Sequence, residues 1–188
     1  MANKKDLNFE TKVIHAGQKS DPTTGAVMTP IVLASTYEQS SPGIHKGYDY
    51  SRSINPTREA FENCIASLEN GIKGYGFSSG VAAISACVEL LSPGDHIIAM
   101  DDLYGGSVRL FNEIKSISQG IEVTYVDMTD IDNVKNSLKE STKMIFVETP
   151  TNPLLKIADL SKIAKLAKTN KILTVCDNTF ASPYNQQP

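Results

Sequence analysis

Acidic and polar side chains recur where apolar runs stop. Ile97-Ile98-Ala99-Met100 leads into Asp101-Asp102-Leu103-Tyr104-Gly105-Gly106, and Met144 to Val147 leads into Glu148-Thr149-Pro150-Thr151-Asn152-Pro153. Ile172 to Cys176 leads into Asp177-Asn178-Thr179. A carboxylate in such a place can hold a protonated nitrogen, a tyrosine can stack on a ring or carry a proton, and an asparagine can hydrogen-bond a guest. The turn Ser78-Ser79-Gly80-Val81 supplies the complementary element, reading as the link between a strand and an alanine-rich helix. Small residues there let an anion reach the first N–H groups of the helix, where the helix dipole also favours negative charge. A phosphate cradle and a tight turn that is small only for packing explain this piece equally well.

The elements that must position these groups follow from periodicity and caps. Asn55 suits an N-cap and Pro56 the first helical position. Phe61, Ile65 and Leu68 share one helical face, and Gly71 reads as the stop. A helix is predicted over 81–91. Strands are predicted over 96–100, 121–126, 144–147 and 172–176, with helices over 108–117, after Asp130 and after Asp159. Strands apolar on both faces, alternating with helices, predict an α/β domain with a mainly parallel sheet covered by helices on both sides. In such sheets ligands bind outside the carboxyl ends of the strands, which is where the polar groups gather. The first fifty-odd residues show little helical periodicity. Within them 21–35 reads as extended chain that packs along another surface, of its own domain or of a neighbouring subunit.

Composition narrows the function classes. Of the 188 residues, 40% are hydrophobic and 21% charged, with a net charge of −3. That balance excludes a disordered tail and gives no electrostatic footprint for nucleic acid or an anionic membrane. No apolar run approaches the length of a membrane span, and MANKKDLNFE lacks the core of a secretory signal. Cys64, Cys87 and Cys176 are scattered, as expected of reduced thiols in a cytoplasmic protein. His15, His45 and His96 are equally scattered, so no metal site is predicted and no histidine is assigned catalysis.

Two cofactor types want a phosphate at a helix N-terminus with carboxylates at strand ends. The first is a dinucleotide: Gly74, Gly76 and Gly80 space as G-x-G-x-x-x-G, with Asp101 where a ribose carboxylate would sit. The spacing is one residue longer than the common fingerprint. The second is pyridoxal phosphate, which needs a phosphate cup, a carboxylate at the ring nitrogen, an aromatic face and a lysine. Gly80, Asp177 and Tyr104 suit the first three of those roles, whereas the dinucleotide reading leaves Tyr104, Asn152 and Asp177 without work.

A longer set of motifs resembles the pyridoxal-phosphate enzymes of cysteine and methionine metabolism, the cystathionine γ-lyase and γ-synthase group. It comprises His15-Ala16-Gly17-Gln18, Thr24-Gly25-Ala26-Val27, Tyr50-Ser51-Arg52, Asn55-Pro56-Thr57-Arg58 and Phe77-Ser78-Ser79-Gly80. It continues through Pro93-Gly94-Asp95-His96, DDLYGG (101–106), ETPTNP (148–153) and DNTFASPY (177–184). The motifs run in order from about residue 11 to residue 188.

The resemblance implies a large domain like that of the aspartate aminotransferases over 58–188, preceded by an extended arm over 1–57 that contacts a neighbouring subunit. It implies that Gly80 and Val81 donate N–H groups to the cofactor phosphate and that Tyr104 stacks on the ring and assists proton movement. Asp177 pairs with the ring nitrogen, Thr179 lies close to the ring, and Asn152 bonds the phenolic oxygen. Tyr50 and Arg52 reach the phosphate of the adjacent subunit's site in a homo-oligomer, usually a tetramer. Arg52, Tyr104 and Arg109 bear on a small amino-acid substrate. Apart from the resemblance, Glu148 reads as bracing the site from behind rather than acting as an acid.

The implied activity is γ-lyase chemistry on cystathionine. Cystathionine γ-synthase and O-acetylhomoserine sulfhydrylase stand close beside it. The family's Schiff-base lysine follows the region matching 177–188, and no lysine here lies in its motif; Lys162, Lys165 and Lys168 read as a solvated helix face. The 188 residues are therefore expected to be part of a longer enzyme and inactive alone. Two other readings remain: a non-catalytic subunit lending Tyr50 and Arg52 to a partner, and an NAD(P)-binding oxidoreductase.

Overall fold

The computed structural model describes residues 7–188, so the first six residues of the N-terminal segment read above lie outside it. Backbone contacts divide the chain into two compact units, Met1–Gly76 and Phe77–Pro188.

The first unit is built on α2 (Pro56–Leu68), which follows α1 (Phe9–His15) and a small antiparallel hairpin of β1 (Gln39–Ser41) and β2 (Ile44–His45). α1 is a helix that the sequence reading missed; at two turns it is too short for periodicity to stand out. The Asn55 side chain caps α2, accepting from the N–H groups of Thr57 and Arg58, with Pro56 at the first position. The same asparagine donates to the Val32 carbonyl at 3.1 Å, and the Thr57 hydroxyl donates to the Pro30 carbonyl at 2.8 Å. Part of the extended segment is thus laced to its own helix, while Ile31 and Leu33 turn their side chains to solvent. Gly17 has φ +73°, and a Cβ there would lie 2.4 Å from the Ala60 carbonyl oxygen, so this glycine lets α1 close on α2. The stop of α2 differs from expectation. Asn70, not Gly71, takes the positive φ of 52°. α2 packs with α1 inside this first unit, which ends at Gly76.

The second unit holds a four-stranded, all-parallel sheet in the order β4-β3-β5-β6. Its strands are β3 (His96–Met100), β4 (Glu122–Val126), β5 (Thr142–Glu148) and β6 (Leu173–Asp177). β3 and β5 are central and almost wholly buried, which is why they read as continuous apolar runs. Helices α3 (Gly80–Val88), α6 (Ile131–Asn136) and α7 (Leu160–Asn170) supply Ile84, Val88, Val134, Ile163 and Ala167 to the core around Ile97, Ile98, Met144, Ile145 and Phe146, and Val108 of α4 (Gly105–Arg109) packs against it. Phe111 and Phe146 meet edge to face at a centroid distance of 5.2 Å. This is the α/β fold expected.

Caps fall where the residue types put them. Asp130 accepts from the Asp132 N–H and Asp159 from the Lys162 N–H. α3 is shorter than predicted, and α4 passes through a π-helical stretch (Leu110–Lys115) into α5 (Ser116–Ser118), a widening that periodicity does not show. Residues 74–77 form no strand, so the turn before α3 is not a strand-to-helix link. No described helix is long and apolar enough to cross a membrane.

Candidate active site

A cavity of about 300 Å³ opens at the carboxyl edge of the parallel sheet, wholly within the second unit. Gly80 and Val81 line one side. Tyr104, Glu148 and Asn152 come from the loops and strand ends of β3 and β5, and Asp177 and Thr179 from the end of β6. Ser79, Ile84, Pro150 and Phe180 complete the wall. Phe180 lies inside a quoted motif, but nothing in its type marked it as lining.

Glu148 organises the floor. It is 4% exposed, its Oε2 accepts the Tyr104 N–H at 2.9 Å, and its Oε1 accepts the Asn152 N–H at 2.8 Å. Burial pushes its carboxyl above the ordinary range; these two donors pull it back, while the Asp177 and Asp102 charges push it further up. Parallel pairing sets Glu148 directly beside Asp177. A separate network holds the Asn152 loop. Asp102 accepts from the Thr151 hydroxyl and, at 2.9 Å, from the Leu154 N–H, and Thr149 accepts the Ala158 N–H at 3.0 Å.

Several polar groups facing the cavity have no partner among the described residues. Ser79 caps α3 by accepting the Ala82 N–H at 3.1 Å, which leaves the Gly80 and Val81 N–H groups unpaired. A Cβ on Gly80 would meet nothing within 4 Å, so the space before these donors is open. Asp177 accepts the N–H (3.1 Å) and the hydroxyl of Thr179 on Oδ1, leaving Oδ2 free. The Asn152 amide and the Tyr104 hydroxyl are likewise unpaired, and Tyr104 is 47% exposed.

These groups match one class of guest, and the comparisons with known proteins name it. A family model described as Cys/Met metabolism PLP-dependent enzyme matches residues 10–188. The chain belongs to that family. It is 56% identical over 186 residues to a cystathionine beta-lyase of Coxiella burnetii, covering 99% of this chain and 48% of that protein. It is 48% identical to a cystathionine gamma-lyase of Bacillus subtilis, covering 97% and 48%. Among solved structures it matches cystathionine gamma-lyase from Lactobacillus plantarum complexed with L-serine, at TM-score 0.94 and 48% identity. That match covers 97% of this chain and 47% of the other. The chain spans about half the length of these relatives.

The cavity fits the cofactor of this PLP-dependent family. Unpaired N–H donors at a helix N-terminus suit a phosphate, and a half-free carboxylate suits a pyridinium nitrogen.

The site brings Gly80, Val81, Tyr104, Asn152, Asp177 and Thr179 together. Tyr50 and Arg52 belong to the first unit, where the Arg52 guanidinium carbon lies 4.3 Å from the Tyr50 ring centroid, a cation–π pair. Arg109 ends α4 and does not line the cavity. Among the described residues no lysine lines it either.

The dinucleotide reading is overturned. Gly74 is small because a Cβ would lie 2.3 Å from the Glu62 carbonyl oxygen, and the Gly76 N–H is spent on the Glu62 carboxylate at 2.8 Å. Asp101 is held by Lys156 at 2.8 Å. His96 is a buried bridge between the hydroxyls of Thr142 and Thr124, 2.8 Å from each.

Proposed function

We propose that this chain forms the cofactor-binding part of a carbon–sulfur lyase acting on cystathionine. The observation that carries the reading is the shared cavity: unpaired Gly80 and Val81 donors, a free Asp177 oxygen and an exposed Tyr104 ring all face it. When bound, pyridoxal phosphate supplies an electron sink that makes a proton on the substrate's α-carbon removable.

The chain's own residues do the rest. Gly80 and Val81 hold the phosphate through N–H groups. Asp177, oriented by Thr179, keeps the ring nitrogen protonated through Oδ2. Asn152 orients the ring's phenolic oxygen, and Tyr104 covers the ring and carries a proton on its hydroxyl.

Tyr50 and Arg52 act in the site of a second copy within a homo-oligomer, 1–57 being the arm that brings them there, and Arg109 serves the substrate. The three cysteines, all free, suit the reducing cytoplasm.

The motif resemblance implies cleavage at Cγ. The 56% identity to a cystathionine beta-lyase favours a second reading, cleavage at Cβ. Products separate them, since Cγ–S scission releases cysteine and Cβ–S scission releases homocysteine. The test is to give the full-length natural protein pyridoxal phosphate and then cystathionine. We expect a visible absorption band and one of the two thiols. A protein that stays colourless sinks the reading.

A further inference from the structure

We propose that Gly106 is a positioning residue that sets the height of the Tyr104 ring over the bound cofactor; this rests on the cofactor site proposed above. A Cβ on Gly106 would lie 2.5 Å from Tyr104 Cε1, 3.1 Å from its Cδ1 and 3.1 Å from Val81 Cγ2. The ring therefore rests on the bare Cα of Gly106, beside the residue whose N–H faces the phosphate end. Backbone conformation does not demand a glycine here, because Gly106 is not among the residues with positive φ. It stands inside α4, where glycine is a poor helix former. The neighbouring Gly105 differs. Its Cβ would meet only the Arg109 Nη1 at 3.5 Å, an ordinary contact with the end of a flexible side chain.

The Tyr104 backbone cannot yield, since Glu148 holds its N–H at 2.9 Å. An added methyl must therefore push the ring outward, by about 1 Å to restore a normal carbon–carbon separation. Tyr104 lines the cavity, so an outward shift of its ring would crowd the space a bound cofactor would take. Displacements of that size in a reacting group cost roughly a hundredfold in rate, and a stacked ring crowded by as much binds less tightly.

The test compares Gly106→Ala with Gly105→Ala in the full-length protein, stripped of cofactor and titrated with pyridoxal phosphate by visible absorption and circular dichroism. We expect G106A to bind about tenfold or more weakly, with an altered dichroic band, while G105A matches the parent. If G106A and G105A behave alike, the assignment is overturned while the cofactor reading stands. If the parent itself takes up no pyridoxal phosphate, the cofactor reading falls first.

A thermal-unfolding cycle without cofactor covers a G106A protein too unstable to titrate. The melting-temperature loss from G106A should persist beside Tyr104→Phe, which keeps the ring carbons, and shrink beside Tyr104→Ala, where only the milder contact with Val81 at 3.1 Å is left. An equal loss in the Tyr104→Ala background overturns the proposal.

Discussion

Glu148 accepts the backbone N–H of Tyr104 through one carboxylate oxygen and that of Asn152 through the other, so a single buried side chain ties the loop after β3 to the loop after β5. Both bonds are charge-assisted, and both donors would be stranded without it. Glu148→Gln keeps one acceptor and sets an NH₂ against the other donor. We expect a loss of about 1–3 kcal/mol in urea unfolding, and a larger one for Glu148→Ala.

The same carboxylate carries a pH signature. Burial, chiefly, raises its folded pKa above the unfolded value. Between those two values the folded chain binds more proton than the unfolded one, so this group's contribution is full below the unfolded pKa and is lost as pH rises through the folded pKa. Lowering the pH through that window should therefore stabilise the parent relative to E148Q. Urea midpoints of both proteins against pH check this, and parallel curves would count against it.

His96 gives the opposite slope. Burial, then the Lys139 charge, pushes its pKa down, with Glu122 opposing. The unfolded chain binds more proton just below the ordinary histidine pKa, so stability falls as pH drops through about 6.5 toward the folded value. His96→Gln should flatten that limb of a melting-temperature profile.

Lys156 reaches Asp101 at 2.8 Å and Asp127 at 2.9 Å, linking its own loop to the ends of β3 and β4. The Thr129 hydroxyl, then Lys156, pulls Asp127 down to about 2. Its contribution is present above the unfolded pKa and lost as pH falls through about 2. Asp127→Asn should flatten the acid end of the unfolding curve, more at low salt than at high salt because these groups are partly exposed.

Gly80→Ala should separate binding from stability. The methyl would meet nothing within 4 Å, so folding should be unchanged or improved by about 0.4–1 kcal/mol. It would also add bulk at the cavity lining, next to the unpaired N–H groups. Weaker uptake of pyridoxal phosphate with an undiminished melting temperature is the expected pair of results.

Much of this was legible in side-chain chemistry. Asn55, Asp130 and Asp159 announce their helices because a capping side chain is specific to one backbone position. The strand-end residues Tyr104, Asn152 and Asp177 were legible as one edge because parallel strands run the same way. That Glu148 braces the site from behind was the plainer reading of a carboxylate at a strand end. Its partners were not legible, since backbone N–H groups leave no trace in residue type.

Glycines misled for a related reason. Spacing cannot tell whether a missing side chain leaves open space, as at Gly80, makes room for a helix backbone, as at Gly74, or for an aromatic ring, as at Gly106. The π-helical turn after Arg109 was hidden because one widened turn scarcely alters the apolar pattern.

The register that sets Glu148 beside Asp177 has a consequence for anything entering the cavity. The cavity lining includes Glu148 and Asp177 side by side and also the N-terminal end of α3, so it combines a negative region with the positive end of a helix dipole. Such a lining suits a guest with an anion at one end and a cation at the other better than a guest of uniform sign.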